Sequence, residues 1–152
     1  MATSLVNTFA KGRWAEKCLL PLGTDAILIV PIQSSGIPSD TTLRNCANLG
    51  AVFTAGALEA TFTNYTRLAL TSSAITVTSN TSTFVQSVAF TTQVWSAAGG
   101  AVNNTLAAIV FAYRPTSSTA DSGCLVLGTV AYAGTTTGGA LTAALGTPFS
   151  DL

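Results

Sequence analysis

The sequence contains no histidine, which removes the most common general base, the Ser-His triads and most catalytic zinc sites. Charge is scarce as well: 8% of the residues are Asp, Glu, Lys or Arg, against about 25% in an ordinary domain. The six basic and six acidic residues cancel and form no basic run, so a nucleic-acid groove, which needs several phosphates neutralised together, is not expected. The carboxylates at Glu16, Asp25, Asp40, Glu59, Asp121 and Asp151 are scattered, and nothing in their spacing favours a glycosidase pair. Cys18, Cys46 and Cys124 are odd in number, far apart and without CxxC spacing. They suggest neither a disulfide framework nor a zinc site, and read as buried free thiols in a reducing cell. No P-loop occurs, and the Gly-rich stretches 97–101 and 134–140 lack GxGxxG spacing and read as turns. Lys11, Arg13, Glu16 and Lys17 interrupt the N-terminal apolar residues, and no apolar run reaches roughly 18 residues. A signal peptide and a membrane-spanning helix are therefore not expected, and the reading is of a soluble protein made in a cytoplasm. The sequons at Asn64, Asn80 and Asn103 are attributed to chance in a chain so rich in Thr and Ser. The sequence predicts no enzyme and no cofactor.

What is present is apolar and hydroxylic. Hydrophobic residues make up 48% of the chain, and a protein of this length can bury roughly 70% of its unfolded surface. One domain spanning residues 1–152 is expected, with residues 1–17 as an N-terminal arm or short helix. The surface must then be largely hydroxyls, small residues and glycine. With a net charge of zero nothing repels a second copy, so self-association and coverage by other protein are expected.

The densest folding signal is residues 88–115. Phe90, Val94 and Trp95 on one side, and Leu106, Ile109, Val110, Phe111 and Tyr113 on the other, flank a small-residue linker, Ser96 to Asn104. Such residues suit a pleated half-buried surface, and Gly99 and Gly100 supply positive φ, so the pattern predicts a hairpin with Trp95, Phe90, Ile109 and Phe111 in the core. Leu5, Val6, Phe9 and Ala10 recur at helical spacing. AILIVPI, Ala26 to Ile32, is a continuous apolar run and predicts a strand buried on both faces, with Pro31 at its end or on an edge. Ser39 or Asp40 offers an N-cap for one helix carrying Leu43, Cys46, Ala47 and Gly50 and continuing to Val52 and Phe53. Further strands are predicted over 60–62, 65–71, 74–78, 83–90 and 124–132, with a last segment over 140–145. In the 124–132 strand Leu125, Leu127 and Thr129 are expected on one face, and Val126, Gly128 and Val130 on the other. About eight short strands at such intervals, with little helix, define a mainly all-β chain: an antiparallel β-sandwich or jelly roll with one or two short helices in the N-terminal third.

Three groups stand out as interface candidates. Trp14, with Lys11 and Arg13, reads either as an anchor of the N-terminal helix or as an arm docking on a neighbour, since Trp and Arg are enriched in hot spots. Glu59 and Arg67 can meet across adjacent strands, either as an exposed pair worth under about 1 kcal/mol or as a contact with another subunit. Tyr113 and Arg114, before Pro115, mark a strand terminus or an interface patch. The uncharged 96–104 loop is a further candidate contact.

Several of these stretches, in their order and spacing, resemble a known family. They are AKGRWAE (Ala10 to Glu16), ILIVPI followed by a loop and DTTLRNCANLGAVF (Asp40 to Phe53), TNYTRLALT (Thr63 to Thr71), and QVWSAAGGAVNNTLAAIVFAY (Gln93 to Tyr113). The family is that of small virion structural proteins of tailed bacteriophages, particularly those infecting actinobacteria. The resemblance implies a non-enzymatic capsid decoration or minor capsid protein that binds and stabilises the phage head by mass action. It equally allows a tail-tube, tail-tip or fibre-associated protein. The implied partners are other copies of the chain, trimers around a symmetry axis among the options, and the major capsid protein or tail proteins, with neither nucleic acid nor membrane; the implied location is the virion. Beside it stand two readings from the residues alone. A coat subunit of a small jelly-roll virus lacks its usual basic arm here, and a carbohydrate-binding module would use Trp14, Trp95 and the tyrosines as stacking platforms.

Overall fold

The computed structural model describes residues 4–8, 17, 23–83 and 85–150. Its strands are β1 (Ser4–Val6), β2 (Ala26–Gln33), β3 (Leu68–Leu70), β4 (Ile75–Asn80), β5 (Val85–Phe90), β6 (Gln93–Trp95), β7 (Thr105–Arg114), β8 (Leu125–Thr135), β9 (Leu141–Ala143) and β10 (Gly146–Ser150). Every pairing is antiparallel. The strands make a five-stranded sheet in the order β1-β8-β7-β2-β3, a three-stranded sheet β10-β5-β4 and a two-stranded sheet β6-β9. The fold is the mainly β, antiparallel sandwich expected from the sequence, with two short helices in its N-terminal part.

The five-stranded sheet is buried on both faces. Ile27, Ile29, Leu106, Ile109, Phe111 and Leu127 pack against Val88, Phe90, Trp95, Leu141 and Phe149 from the two smaller sheets. On the opposite face Leu28, Val30, Ile32, Val110, Ala112 and Val126 meet Leu43, Cys46, Leu49 and Val52 from the helical segment. This double burial explains why β2 reads as an unbroken apolar run: a strand covered on both sides has no position to give to a polar residue. Pro31 sits inside β2 and not at its end. Its carbonyl accepts from Ala60 N–H, so its nitrogen faces the side where β3, which pairs only with Ile27–Ile29, has already ended and only the isolated bridge between Ile32 and Glu59 continues, a locally edge-like position where a missing donor is tolerated.

The expected hairpin over 88–115 does not form. β6 pairs with β9, while both edges of β7 are taken by β2 and β8. The aromatic and β-branched composition marks strands correctly, but partner choice is set by which edges remain open. The linker instead carries the chain from one layer to the other. Gly99 has φ +96°, and a Cβ there would crowd Asn103 Oδ1 and the Thr136 side chain, so the position favours glycine. The loop is tied down by Gly99 N–H to Thr63 C=O and by Ala98 N–H to Gly139 C=O.

The single helix expected from Ser39 to Phe53 is two helices, Asp40–Arg44 and Leu49–Thr54. Ser39 caps the first through Thr42 N–H, and Asn48 caps the second through Ala51 N–H at 2.9 Å. Two side chains that favour caps interrupt the apolar stripe: Asn45 donates back to Thr41 C=O, and Asn48 takes extended backbone and bridges Leu125. The helical spacing of Leu5 and Val6 is also overruled, because β1 pairs Ser4–Val6 with Gly128–Val130 along an edge of β8. Leu5 is buried there, and Asn7 Nδ2 donates to the carbonyls of Leu43 and Cys46. Residues 60–62 make no strand, β3 is confined to Leu68–Leu70, and β10 forms beyond the last predicted segment. In β8 the expected alternation breaks at a bulge: Phe111 faces Gly128 but Ala112 faces Val126. Leu125, Leu127 and Val130 therefore share the core between the sheets, while Val126 faces the helices. Gly128 is also required, since a Cβ would lie 2.4 Å from Leu5 O.

Candidate functional site

Eight of the twelve charged residues lie among the described ones, and three of them converge. Glu59 follows the turn after the second helix and forms an isolated bridge with Ile32. The chain then loops through Phe62 and Tyr65 and returns as β3 beside the same strand, placing Arg67 next to Glu59 along one edge of β2 and not across two strands. Arg67 Nε donates to Glu59 Oε1 at 2.7 Å and Nη2 to Glu59 Oε2 at 2.6 Å. The other side of the fork donates to both oxygens of Asp121, Nη2 reaching Oδ2 at 3.0 Å. Tyr65 O–H donates to Glu59 Oε1 at 2.6 Å, and the guanidinium lies 5.5 Å from the centre of the Phe53 ring.

A planar guanidinium bound by two carboxylates in bidentate geometry is the strong form of ion pair. The side chains of Glu59, Arg67 and Asp121 are 22%, 28% and 35% exposed, so the cluster is half-buried and not the freely solvated pair that sequence spacing alone suggests. It clamps three elements: the β3 edge, the second helix through Phe53, and the 3-10 turn Asp121–Gly123. Bonding to Glu59 and Asp121 raises the Arg67 pKa, keeping it charged throughout. Burial, reinforced by the Glu59 carboxylate, pushes the Tyr65 hydroxyl well above its ordinary value.

That shift has a measurable consequence. A pKa raised on folding means that the native state holds the proton more tightly, so the associated stability is present below the ordinary tyrosine value near 10 and is lost as pH rises above it. Tyr65→Phe is expected to lose about 1.5 to 3 kcal/mol at neutral pH, the worth of a hydrogen bond to a charged group, with the gap from wild type narrowing above about pH 10. Thermal denaturation at pH 8 and pH 11 checks this; a gap independent of pH would refute the assignment.

The remaining candidates are dispersed. Lys11, Arg13 and Trp14 lie outside the described residues. Tyr113 and Arg114 end β7 opposite Ile27 and Ala26. Tyr113 O–H donates to Asp25 Oδ2 at 3.2 Å, and Lys17 Nζ sits 5.1 Å from the centre of its ring, so the ring is engaged within the chain. Arg114 Nε is buried and makes no hydrogen bond among the described residues. Trp95, Phe90, Ile109 and Phe111 are all buried in the core between the sheets, and Trp95 Nε1 donates to Thr66 C=O, which leaves no ring face for a sugar. In the 96–104 loop Val102 is 49% exposed. Cys46 and Cys124 are free and buried, and burial raises both thiol pKa values; Cys18 lies outside the described residues.

Sequence reasoning missed Tyr65, Asp121 and Phe53 as parts of the Arg67 cluster. Asp121 is 54 positions from Arg67 in a polar loop with no local pattern, and the one available signal was the scarcity of charge, which leaves Arg67 few partners. Among the described residues no group of three or more His, Cys, Asp or Glu is placed to hold a metal, and no helix is long and apolar enough to cross a membrane. Comparison with protein-family models, curated proteins and solved structures gave no match.

Proposed function

We propose that this chain is a non-enzymatic structural subunit of a virion, a decoration or minor capsid protein that binds and stabilises a phage head. The observation that carries the reading is the distribution of charge over the sandwich. From Leu68 to Tyr113, and again from Ser122 to Ser150, the sequence has no charged residue. Those stretches supply every strand of the two smaller sheets, whose outward positions include Thr76, Thr78, Thr142 and the 45% exposed Val94. An outer layer of hydroxyls and small apolar groups lacks the charge that keeps free monomers apart, and it suits a protein whose surface is covered in a particle. The Arg67 cluster closes on itself, which is the use of charge expected of a scaffold. The resemblance of the motif order to small tailed-phage virion proteins points the same way.

The decoration reading predicts many copies per particle and release under mild treatment that leaves the head intact. Quantitative mass spectrometry of purified particles, before and after such treatment, tests both properties. A handful of copies per particle would overturn the decoration reading in favour of a tail component.

A further inference from the structure

A strand at the edge of a sheet presents N–H and C=O groups without partners, and proteins blunt such edges by shortness, proline, bulges or charge. Most edges of this molecule are blunted. β1 and β3 are three residues each, and Arg67 directly precedes β3. β10 contains Pro148 and an irregular register between Gly146 and Phe149. β6 and β9 are also three residues each. β4 is different: it runs for six residues, ITVTSN, in unbroken register with β5, with no proline, no bulge and no charge. Among the described residues nothing pairs with its outer side.

The register fixes which groups face outward. Thr91 N–H donates to Ala74 C=O, and in an antiparallel ladder the bonding pairs alternate. The N–H and C=O groups of Thr76, Thr78 and Asn80 therefore point to β5, and those of Ile75, Val77 and Ser79 point to the open edge. Val77 is the middle of that outward set. We propose that β4 pairs antiparallel with β4 of a second copy of this chain, about a two-fold axis at Val77, fusing two three-stranded sheets into one. Val77 then exchanges two hydrogen bonds with its own counterpart, and Ile75 faces Ser79 of the other copy. Thr76 stands opposite Thr78 on the solvent face, a favourable cross-strand pair. A second copy fits better than another peptide because the pairing is self-complementary in pattern. The absence of charge from Leu68 to Tyr113 gives a like copy nothing to repel it and a charged segment nothing to hold it. The inference does not depend on any place in a virion.

Sedimentation equilibrium of the full chain over a concentration series, with two variants, tests it. Ser79→Pro removes an outward N–H and none of the backbone bonds to β5, losing towards that strand only the exposed Gln86 Nε2 donation to Ser79 Oγ, while Thr78→Lys leaves the backbone intact and places like charges on either side of the axis. The wild type is expected to reach twice the chain mass, and both variants to stay at one chain mass with unchanged circular dichroism. In the wild type, amide exchange at Ile75, Val77 and Ser79 is expected to slow as concentration rises. A wild type that stays monomeric, variants that still associate as the wild type does, or exchange at these amides independent of concentration would each overturn the proposal.

Discussion

Trp95→Ala is expected to lower the stability of the fold by about 3 to 5 kcal/mol, the range for deleting a large buried aromatic side chain. Trp95 is 4% exposed and stands edge-on to Phe62, ring centres 6.3 Å apart. Its indole N–H donates to Thr66 C=O at 2.9 Å. The substitution therefore removes three things together: apolar burial, an aromatic contact and the partner of a backbone carbonyl. The position multiplies the effect. β6 is only three residues long and holds β9 and the crossing loop to the rest of the sandwich, so a cavity at Trp95 cannot be closed by a small shift of one long strand. Urea denaturation followed by circular dichroism measures the loss. Trp95→Phe, which keeps most of the ring but not the donor, should lose less. A loss below about 1 kcal/mol for Trp95→Ala would show that the site collapses freely.

Arg67→Ala is expected to cost about 2 to 3 kcal/mol, below the 3 to 5 kcal/mol for removing one partner of a fully buried pair because water reaches part of each side chain here. The variant leaves Glu59 and Asp121 close together with no cation between them, and it strips the guanidinium from the face of Phe53. Arg67→Lys keeps the charge but has no planar fork to bind two carboxylates at once, so it should recover only part of the loss. The same denaturation measurement applies, repeated at high salt, where an exposed pair would lose its effect and a half-buried one keeps most of it. If Arg67→Ala matched the wild type, the cluster would be an ordinary surface pair. The result also tests how the fold is held together, since the clamp joins the helical cover to the sheet edge.

Strand content was legible because β-branched and aromatic residues between Ser, Thr, Asn and Gly clusters leave few other ways to bury apolar surface in segments this short. The double burial of β2 was legible for the same reason. Pairing was not. Nothing local in Gln93–Trp95 distinguishes β7 from β9 as a partner, and the hairpin expected over 88–115 gives way because β7 already has β2 and β8 on its two edges. The division of the helix at Asn45 to Asn48 was readable from two cap-forming residues but hidden by the apolar stripe running through them. The Arg67 cluster was half legible: the scarcity of charge made Glu59 and Arg67 conspicuous, while Asp121 and Tyr65 entered through loop paths that no periodicity describes.

The sequence by itself determined the composition of the surface, the neutrality of the chain and the alternation that makes it a β protein, because each depends on residue types and on a period of two along a strand. The tertiary structure alone decided which edges are shared and which stay open, since hydrogen-bond partners in an antiparallel sheet are chosen by distant segments competing for the same row of backbone groups. It is that competition which seats Trp95 in the core, and which leaves the outer side of β4 unpaired among the described residues.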